Sequence, residues 1–186
     1  MLAAGFSRRY GSDKRRAPFH GQTLLNASLA LPCSRLTEVW LVLRPEDDCT
    51  TLGIPAEVRV VRNPAAAQGM GHSLACGISQ LQQNSSADAV AVFLADMPWI
   101  SPTSLDALLA QATAERIVVP TYQDQPGHPV LFGRQFWPLL AKLSGDTGGR
   151  AVLKSQTQAV HYCPVDDPSI LLDIDTQLSI ENSAGG

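Results

Sequence analysis

The sequence predicts an α/β fold of three layers, in which helices cover both faces of a mostly parallel, Rossmann-like sheet. Continuous apolar runs such as residues 89–94 are typical of strands that are buried on both faces. Amphipathic segments such as residues 69–81 separate these runs, with apolar residues three or four positions apart. Strands that alternate with helices indicate parallel pairing through right-handed crossovers. The length of 186 residues suits one domain that spans residues 1–186.

Composition excludes several classes of protein. A hydrophobic content of 45% allows a core of ordinary size, and a net charge of −3 argues against a general nucleic-acid binder. No apolar run approaches the roughly 20 residues of a membrane span, and no signal peptide is present. The four cysteines form no C-x-x-C pair, which is typical of free thiols in a reducing compartment. We therefore expect a cytoplasmic protein without a nucleic-acid or membrane partner.

The first half of the chain begins with a short apolar run at residues 2–4. A buried strand usually needs about five residues, so we expect that most of the first strand is truncated ahead of Met1. Residues 22–31 predict a helix that ends at Pro32. Residues 39–43 and 58–61 predict the next two strands.

The second half has clearer signals. Residues 69–81 predict an amphipathic helix, and residues 89–94 predict the strongest strand of the chain. Ser101 and Pro102 are a good N-cap and first residue for a helix that runs to about residue 112. Further strands are predicted at 117–119, 130–132 and 159–163, further helices at 134–142 and 147–154, and a polar excursion at 122–128.

Three polar loops follow predicted strands, at residues 5–14, 63–72 and 95–100. Ligands of such sheets bind beyond the carboxyl ends of the strands. We therefore expect these loops to meet at one site.

The first loop carries glycines, a serine and two cations, at Gly5, Ser7, Arg9, Gly11 and Lys14. Glycines let backbone N–H groups approach an anion closely, and the cations add full positive charge. The pattern suits a polyphosphate, although it is neither a Walker A loop nor G-x-G-x-x-G. The alternative is a flexible basic turn, within a cluster of basic residues at positions 8–16 of an acidic chain.

Carboxylates follow two apolar runs. Asp96 follows the strongest strand, and Asp173 and Asp175 follow a later run. Mg²⁺ commonly binds to one or two carboxylates together with substrate phosphates. Helix-capping or turn roles remain the alternative for each of them.

Three further segments are candidates for ligand contact. The segment 68–73, which follows Asn63, places glycines at a predicted helix start and favours an anionic or polar ligand. His128 lies beside a proline, and the segment 145–150 is rich in glycine. The alternatives are a plain helix start, a structural histidine and a flexible capped loop.

Five motifs in order resemble the MobA-like nucleotidyltransferases in the broad sense, most of all the molybdenum cofactor cytidylyltransferase branch. The resemblance covers nearly the whole chain. The motifs are Leu2-Ala3-Ala4-Gly5-x-Ser7-x-Arg9-x-Gly11-x-x-Lys14, Gln68-Gly69-Met70-Gly71-x-Ser73, Asp96-Met97-Pro98, Gly127-His128-Pro129 with Gly145-Asp146-x-Gly148-x-Arg150, and Asp173-Ile174-Asp175-Thr176.

The resemblance implies transfer of CMP from CTP to the phosphate of molybdopterin, with Mg²⁺ as cofactor and pyrophosphate as leaving group. It implies catalytic roles for Arg9, Lys14 and Asp96, and Asp96 and Asp173 as metal ligands. The implied nucleotide-binding residues are Leu2, Ala3, Ala4, Gly5, Ser7, Gly11, Lys14, Gly69 and Ser73. The implied substrate-binding residues are Pro98, His128, Asp146 and Arg150.

Ala4 favours CTP, because guanylyl-transferring relatives tend to have glycine at this position. Two alternatives remain open. One is a related nucleotidyltransferase that uses GTP or acts on a sugar phosphate or small-acid phosphate. The other is a non-catalytic homologue that binds the cofactor and delivers it to a recipient molybdoenzyme.

Overall fold

The computed structural model describes residues 1–7 and 10–174. The strands of this part are Pro18–Phe19 (β1), Gln22–Thr23 (β2), Trp40–Leu43 (β3), Arg59–Arg62 (β4), Ala89–Val92 (β5), Ile117–Tyr122 (β6), Gln125–Pro126 (β7), Val130–Gly133 (β8) and Val160–Pro164 (β9). The α-helices are Leu24–Arg35 (α1), Cys49–Leu52 (α2), Met70–Asn84 (α3), Pro102–Leu109 (α4), Trp137–Leu140 (α5) and Arg150–Ser155 (α6). No helix in these ranges is long and apolar enough to cross a membrane.

The central sheet has the strand order β4, β3, Leu2, β5, β8, β6, β9. Leu2 makes parallel bridges to Val42 on one side and to Leu94 on the other, and so connects the two larger groups of strands. Strand β3 is parallel to β4 and β6 is parallel to β9, whereas β8 is antiparallel to both β5 and β6. The predicted mostly parallel sheet is confirmed, with β8 and the short β7 reversed.

The reversal of β8 follows from the short connection that precedes it. Only residues 123–129 separate β6 from β8, and parallel neighbours need a crossover of a dozen residues or more. Instead, β6 turns back into β7 through Gln123 and Asp124, which both have positive φ. The predicted polar excursion is therefore a hairpin.

Helices cover both faces of the sheet. On one face, Leu25 and Leu29 of α1 pack with Leu41 and Leu43 of β3. On the other face, residues of α3, α5 and α6 pack with β5, β6 and β8 in a cluster that includes Leu74, Ile78, Val92, Phe132, Trp137 and Val152. The predicted three-layer arrangement is confirmed. Successive side chains of the strands point to opposite faces of the sheet, so the strands pack against helices on both faces.

The predicted end of α1 at Pro32 is wrong, because the helix continues to Arg35. Proline lacks an N–H group, so its presence removes one helical hydrogen bond. The last turn still closes, since the Leu36 N–H donates to the Pro32 carbonyl. Pro32 is also buried, and its packing favours a continuous helix.

A cavity of about 250 Å³ lies between β3, β5 and α3, beside the first two residues of the chain. Its walls are mainly apolar and include Leu2, Val42, Leu74, Ile78, Val90 and Phe93. The Met1 α-amino group donates to the Trp40 carbonyl at 2.6 Å. Burial lowers the pKa of this amino group to about 5. The space beside Met1, between β3 and β5, is therefore lined mainly by apolar side chains.

We expect that an extension of five residues ahead of Met1, in which apolar and polar residues alternate, raises the free energy of unfolding by about 3 kcal/mol. The added strand would bury about two side chains in the cavity, each contributing about 1.5 kcal/mol or more. It would also convert the amino group of Met1 into an amide. Denaturant unfolding of the two chains measures the difference.

The pH dependence gives the control. In the protein without an extension, the α-amino group of Met1 is protonated more readily after unfolding. The free energy of unfolding therefore falls as the pH is lowered from about 8 to about 5. A Ser/Gly extension of equal length should remove this dependence without raising stability. An apolar extension that stabilises no more than the Ser/Gly extension would contradict the account.

Candidate active site

A second cavity, of about 500 Å³, lies at the edge of the sheet where the chain continues past Leu2 and past β5. Pockets of this size commonly hold small ligands. The structure brings the three predicted loops together here. Of the residues expected at the site, the lining includes Leu2, Ala3, Ala4, Gly5, Ser7, Lys14, Gly69, Ser73, Asp96 and Asp146. The remaining lining residues come mostly from the three predicted loops, namely Phe6, Tyr10, Ala66, Ala67, Gln68, Met70 and Ala95, whereas Arg15 and Leu94 lie outside them.

Several expected residues do not line this cavity. Gly11, Pro98, His128 and Arg150 are outside the lining of this cavity, as is Asp173. Two predictions fall outside the described residues, namely those for Arg9 and for Asp175 with Thr176.

Arg15 anchors the first loop through the hydrogen bonds of its buried side chain. Its guanidinium donates to the Ala3 carbonyl at 2.8 Å, to both carboxylate oxygens of Asp47 at 2.5 and 2.7 Å, and to Asp13 at 2.6 Å. Arg15 is only 4% exposed. The sequence placed Arg15 in a cluster of basic residues without assigning it a role, and the structure shows that its charge holds the loop.

The two carboxylates of this cluster stay ionised. Burial alone would raise the pKa of Asp47, but hydrogen bonds from Arg15 and from the Arg44 N–H lower it below its usual value. The same balance between burial and hydrogen bonds from Arg15 lowers the pKa of Asp13. The cluster is therefore a set of paired charges at neutral pH.

Arg44 holds the loop from the other side. Its guanidinium donates to the Gly5 carbonyl and lies 4.5 Å from the centre of the Phe6 ring. Its backbone N–H donates to Asp47 at 2.9 Å. The sequence did not indicate Arg44 or Asp47, because both are distant from the loop along the chain and carry no local motif.

Lys14 connects the loop to two later segments. Its ammonium donates to Asp96 Oδ2 at 2.7 Å and to the Ile174 carbonyl at 2.6 Å. The Ile174 N–H in turn donates to the Asp96 carbonyl at 3.0 Å. The end of the described chain is thus fixed beside the carboxylate that follows β5.

These oxygens fit a divalent metal. They already converge on one cation, the Lys14 ammonium, and they are the hard oxygen donors that Mg²⁺ prefers. Within residues 1–7 and 10–174, no cluster of three or more His, Cys, Asp or Glu is placed to hold a metal. In proteins, Mg²⁺ commonly binds through one or two carboxylates together with substrate phosphates.

Asn63 and Ser73 form a buried polar pair at the wall of the cavity. The Asn63 Oδ1 accepts from the Ala65 N–H at 2.9 Å, which leaves its Nδ2 to donate to the Ser73 hydroxyl at 3.1 Å. Both residues are buried, and Ser73 lines the cavity. The pair fixes the turn before α3 against the start of that helix.

Gly69 and Gly71 allow a close approach between two loops of the chain. The Gly71 N–H donates to the Gly145 carbonyl at 2.7 Å, and the Gly145 N–H donates to His72 Nδ1 at 3.1 Å. A Cβ at Gly71 would lie 2.6 Å from the Ser144 carbonyl oxygen. We expected these glycines to admit a ligand, whereas the structure uses them to dock the loop that carries Asp146.

Replacing Gly71 by Ala is expected to destabilise the protein by about 1–3 kcal/mol, as overpacking commonly does. The added methyl would push the Ser144 carbonyl away and break the hydrogen bond between Gly71 and Gly145. Denaturant unfolding measures the loss, and hydrogen exchange should show faster exchange of the Gly145 amide. Q80A, on the exposed side of α3, is the control and should change neither; equal results for both variants would refute this docking.

His128 lies near the carboxylates of Asp96 and Asp173, but it is largely buried. Burial lowers the pKa of His128, and a hydrogen bond with the Val92 backbone, together with the nearby Asp96 and Asp173, only partly offsets this effect. Among the described residues, its buried Nδ1 has no hydrogen-bond partner. His128 is therefore neutral at pH 7.

Residues 1–160 match the family described as the MobA-like NTP transferase domain. The chain belongs to this family. It is 33% identical to the purine catabolism protein PucB of Bacillus subtilis, over 95% of this chain and 90% of that protein. It is also 33% identical to a probable molybdenum cofactor guanylyltransferase of Chloroflexus aggregans, over 76% of this chain and 62% of that protein.

Solved structures agree with this assignment. Rv0371c from Mycobacterium tuberculosis superposes with a TM-score of 0.81 at 26% identity, covering 100% of this chain and 96% of that one. A complex of the same protein with manganese superposes with a TM-score of 0.76 at 25% identity, covering 97% and 94% of the two chains. The predicted nucleotidyltransferase fold and family are confirmed.

Proposed function

We propose that the protein transfers CMP from CTP to the phosphate of molybdopterin, in a reaction that depends on Mg²⁺ and releases pyrophosphate. The observation that carries the proposal is the convergence of the 2–7 segment, Lys14 and Asp96 in one cavity at the carboxyl edge of the sheet. Family membership and the name of the Chloroflexus relative support the class of acceptor.

The proposed chemistry is mainly positioning and charge neutralisation. An oxygen of the acceptor phosphate attacks the α-phosphorus of CTP, and the bond between the α-phosphorus and the bridging oxygen breaks. The electron pair of that bond leaves with pyrophosphate. A bound Mg²⁺ would neutralise charge on the phosphate oxygens.

The residues of the chain take specific roles in this proposal. N–H groups near Gly5 and Ser7 bind phosphate oxygens, and Lys14, together with Arg9, stabilises the charge that develops on pyrophosphate. Asp96 holds the metal, with Asp173 as its second carboxylate. Pro98, His128, Asp146 and Arg150 contact the acceptor, and His128 does so as a neutral group.

Ala4 supports CTP as the nucleotide. Ala4 is buried against Val42, Val61 and Ala66, and it also lines the cavity. Its methyl group takes space that a glycine would leave, and this suits a smaller pyrimidine base. The competing candidate nucleotide is GTP, which is supported by the name of the Chloroflexus relative, a probable molybdenum cofactor guanylyltransferase.

Pyrophosphate release with each of the four nucleoside triphosphates, Mg²⁺ and molybdopterin tests the proposal. We expect release with CTP at a rate well above that with GTP, ATP or UTP. The A4G variant should shift the preference toward GTP by about tenfold, the range that a single methyl group in a pocket controls. Release with GTP alone in the parent protein would transfer the proposal to the guanylyl reaction, and no release with any nucleotide would reject it.

A further inference from the structure

Two oxygens converge on the Lys14 ammonium at the mouth of the cavity. Asp96 Oδ2 lies at 2.7 Å and the Ile174 carbonyl oxygen at 2.6 Å. The Lys14 side chain is only 14% exposed, so little water competes for this cation. A carboxylate and a backbone carbonyl are also the oxygen types that bind Mg²⁺. The same pair of oxygens can therefore serve either cation.

The ammonium and a divalent metal cannot occupy this position together, because like charges at contact distance repel strongly. The lysine side chain is the part that can move, since four flexible carbon–carbon bonds carry its ammonium. The backbone beside it is fixed by Arg15, which is bound to Ala3 and Asp47. Exchange therefore needs a movement of one side chain rather than of the loop.

We propose that Lys14 holds the place of the metal in the nucleotide-free protein, with the Ile174 carbonyl as a second oxygen of the cation site. A metal that arrives alone must displace the ammonium from Asp96 without offering it a new partner. A nucleotide that arrives with the metal supplies phosphate oxygens for the released ammonium. Metal and nucleotide therefore strengthen each other's binding by the same factor, an inference that rests on the proposed nucleotidyl transfer.

Binding of Mn²⁺, followed by the loss of its free electron paramagnetic resonance signal, tests this exchange without any turnover. We expect weak binding of Mn²⁺ alone to the parent protein. The unreactive analogue α,β-methylene-CTP binds Mn²⁺ by itself, so its effect is the signal loss beyond that of a protein-free sample, and this protein-dependent binding should be much tighter. K14M removes the competing ammonium, so it should bind Mn²⁺ alone about tenfold more tightly than the parent protein. The protein-dependent gain that the analogue brings should then be smaller than in the parent protein.

R16M is the matched control. It also removes one positive charge, but it does so from an exposed side chain that lies two positions after Lys14 in the chain. It should change the affinity for Mn²⁺ alone by less than about threefold, as expected for a screened surface charge. K14Q replaces K14M if the latter fails to fold. Unchanged or weaker Mn²⁺ binding in the Lys14 variant, or an equal gain in R16M, overturns the exchange.

The two proposals fail separately. If neither α,β-methylene-CTP nor the corresponding GTP analogue binds the parent protein, the proposed function is wrong. The affinities for Mn²⁺ alone in the parent, K14M and R16M proteins still decide whether Lys14 and the metal compete.

Discussion

Replacing Asp96 by Asn is expected to lower kcat/KM for nucleotidyl transfer by about 10²–10³-fold, the loss typical when one preorganised electrostatic group is removed. The amide has nearly the shape of the carboxylate but lacks the charge that would hold a metal and that pairs with Lys14. Initial rates of pyrophosphate release over a range of CTP and Mg²⁺ concentrations measure the effect. Most of the loss should appear in kcat.

D106N provides the comparison for this variant. Asp106 lies on α4 with its side chain 51% exposed, 3.5 Å from Arg35. Its replacement removes the same charge at a distance from the cavity, so we expect activity within about twofold of the parent protein, as for an ordinary surface change. If D96N retains more than a tenth of the parent activity while remaining folded, Asp96 does not hold a catalytic metal.

Replacing Arg15 by Met is expected to lower the free energy of unfolding by about 3–5 kcal/mol, as the loss of one partner from a buried ion pair commonly does. The variant leaves the Asp47 carboxylate, 7% exposed, without its main partner, and it frees the Ala3 carbonyl. Denaturant unfolding at neutral pH measures the loss. R16M should stay within about 0.5 kcal/mol of the parent protein, because Arg16 is exposed and 3.9 Å from Asp13.

The pH dependence of the R15M effect has a defined sign. The pKa values of Asp13 and Asp47 are lower in the folded protein than after unfolding. Their stabilisation is therefore complete above the unfolded value of about 3.9 and disappears as the pH falls through the folded values. The difference between the parent and R15M proteins should be constant above about pH 5 and should narrow below pH 4. A difference that grows in acid would contradict this account of the cluster.

Elements with strong local signals were predictable from sequence. The apolar run at 89–94 contains β5, and Ser101 with Pro102 begins α4 through a hydrogen bond from the Ser104 N–H to the Ser101 hydroxyl. Each of these signals depends on residues that are near neighbours in the chain. The layer arrangement follows from their alternation.

Features set by distant residues were not predictable. The end of α1 depends on how Pro32 packs. The direction of β8 instead follows from a short local hairpin, which the sequence indicated only as a polar excursion. The role of Arg15 depends on Asp47, 32 positions away. Its charge in the sequence is the same whether it binds a phosphate or a carboxylate, so only the fold distinguishes the two.

The sequence predicted which residues form the candidate site better than it predicted the contacts between them. The sequence indicated Lys14 and Asp96 separately, while their direct hydrogen bond appears only when β5 and the first loop meet. The glycines at 69 and 71 signalled a close approach, but a glycine pattern does not reveal whether the approaching group is a ligand or, as here, the 144–146 loop.

Label transfer from CTP to molybdopterin tests the central claim most directly. With CTP labelled in its α-phosphate, Mg²⁺ and molybdopterin, we predict that the label appears in a cytidine dinucleotide of molybdopterin. With CTP labelled in its γ-phosphate, the label should appear in pyrophosphate. An α-label that remains in CTP, or that appears only as free CMP in the presence of folded protein and acceptor, would contradict the proposed transfer.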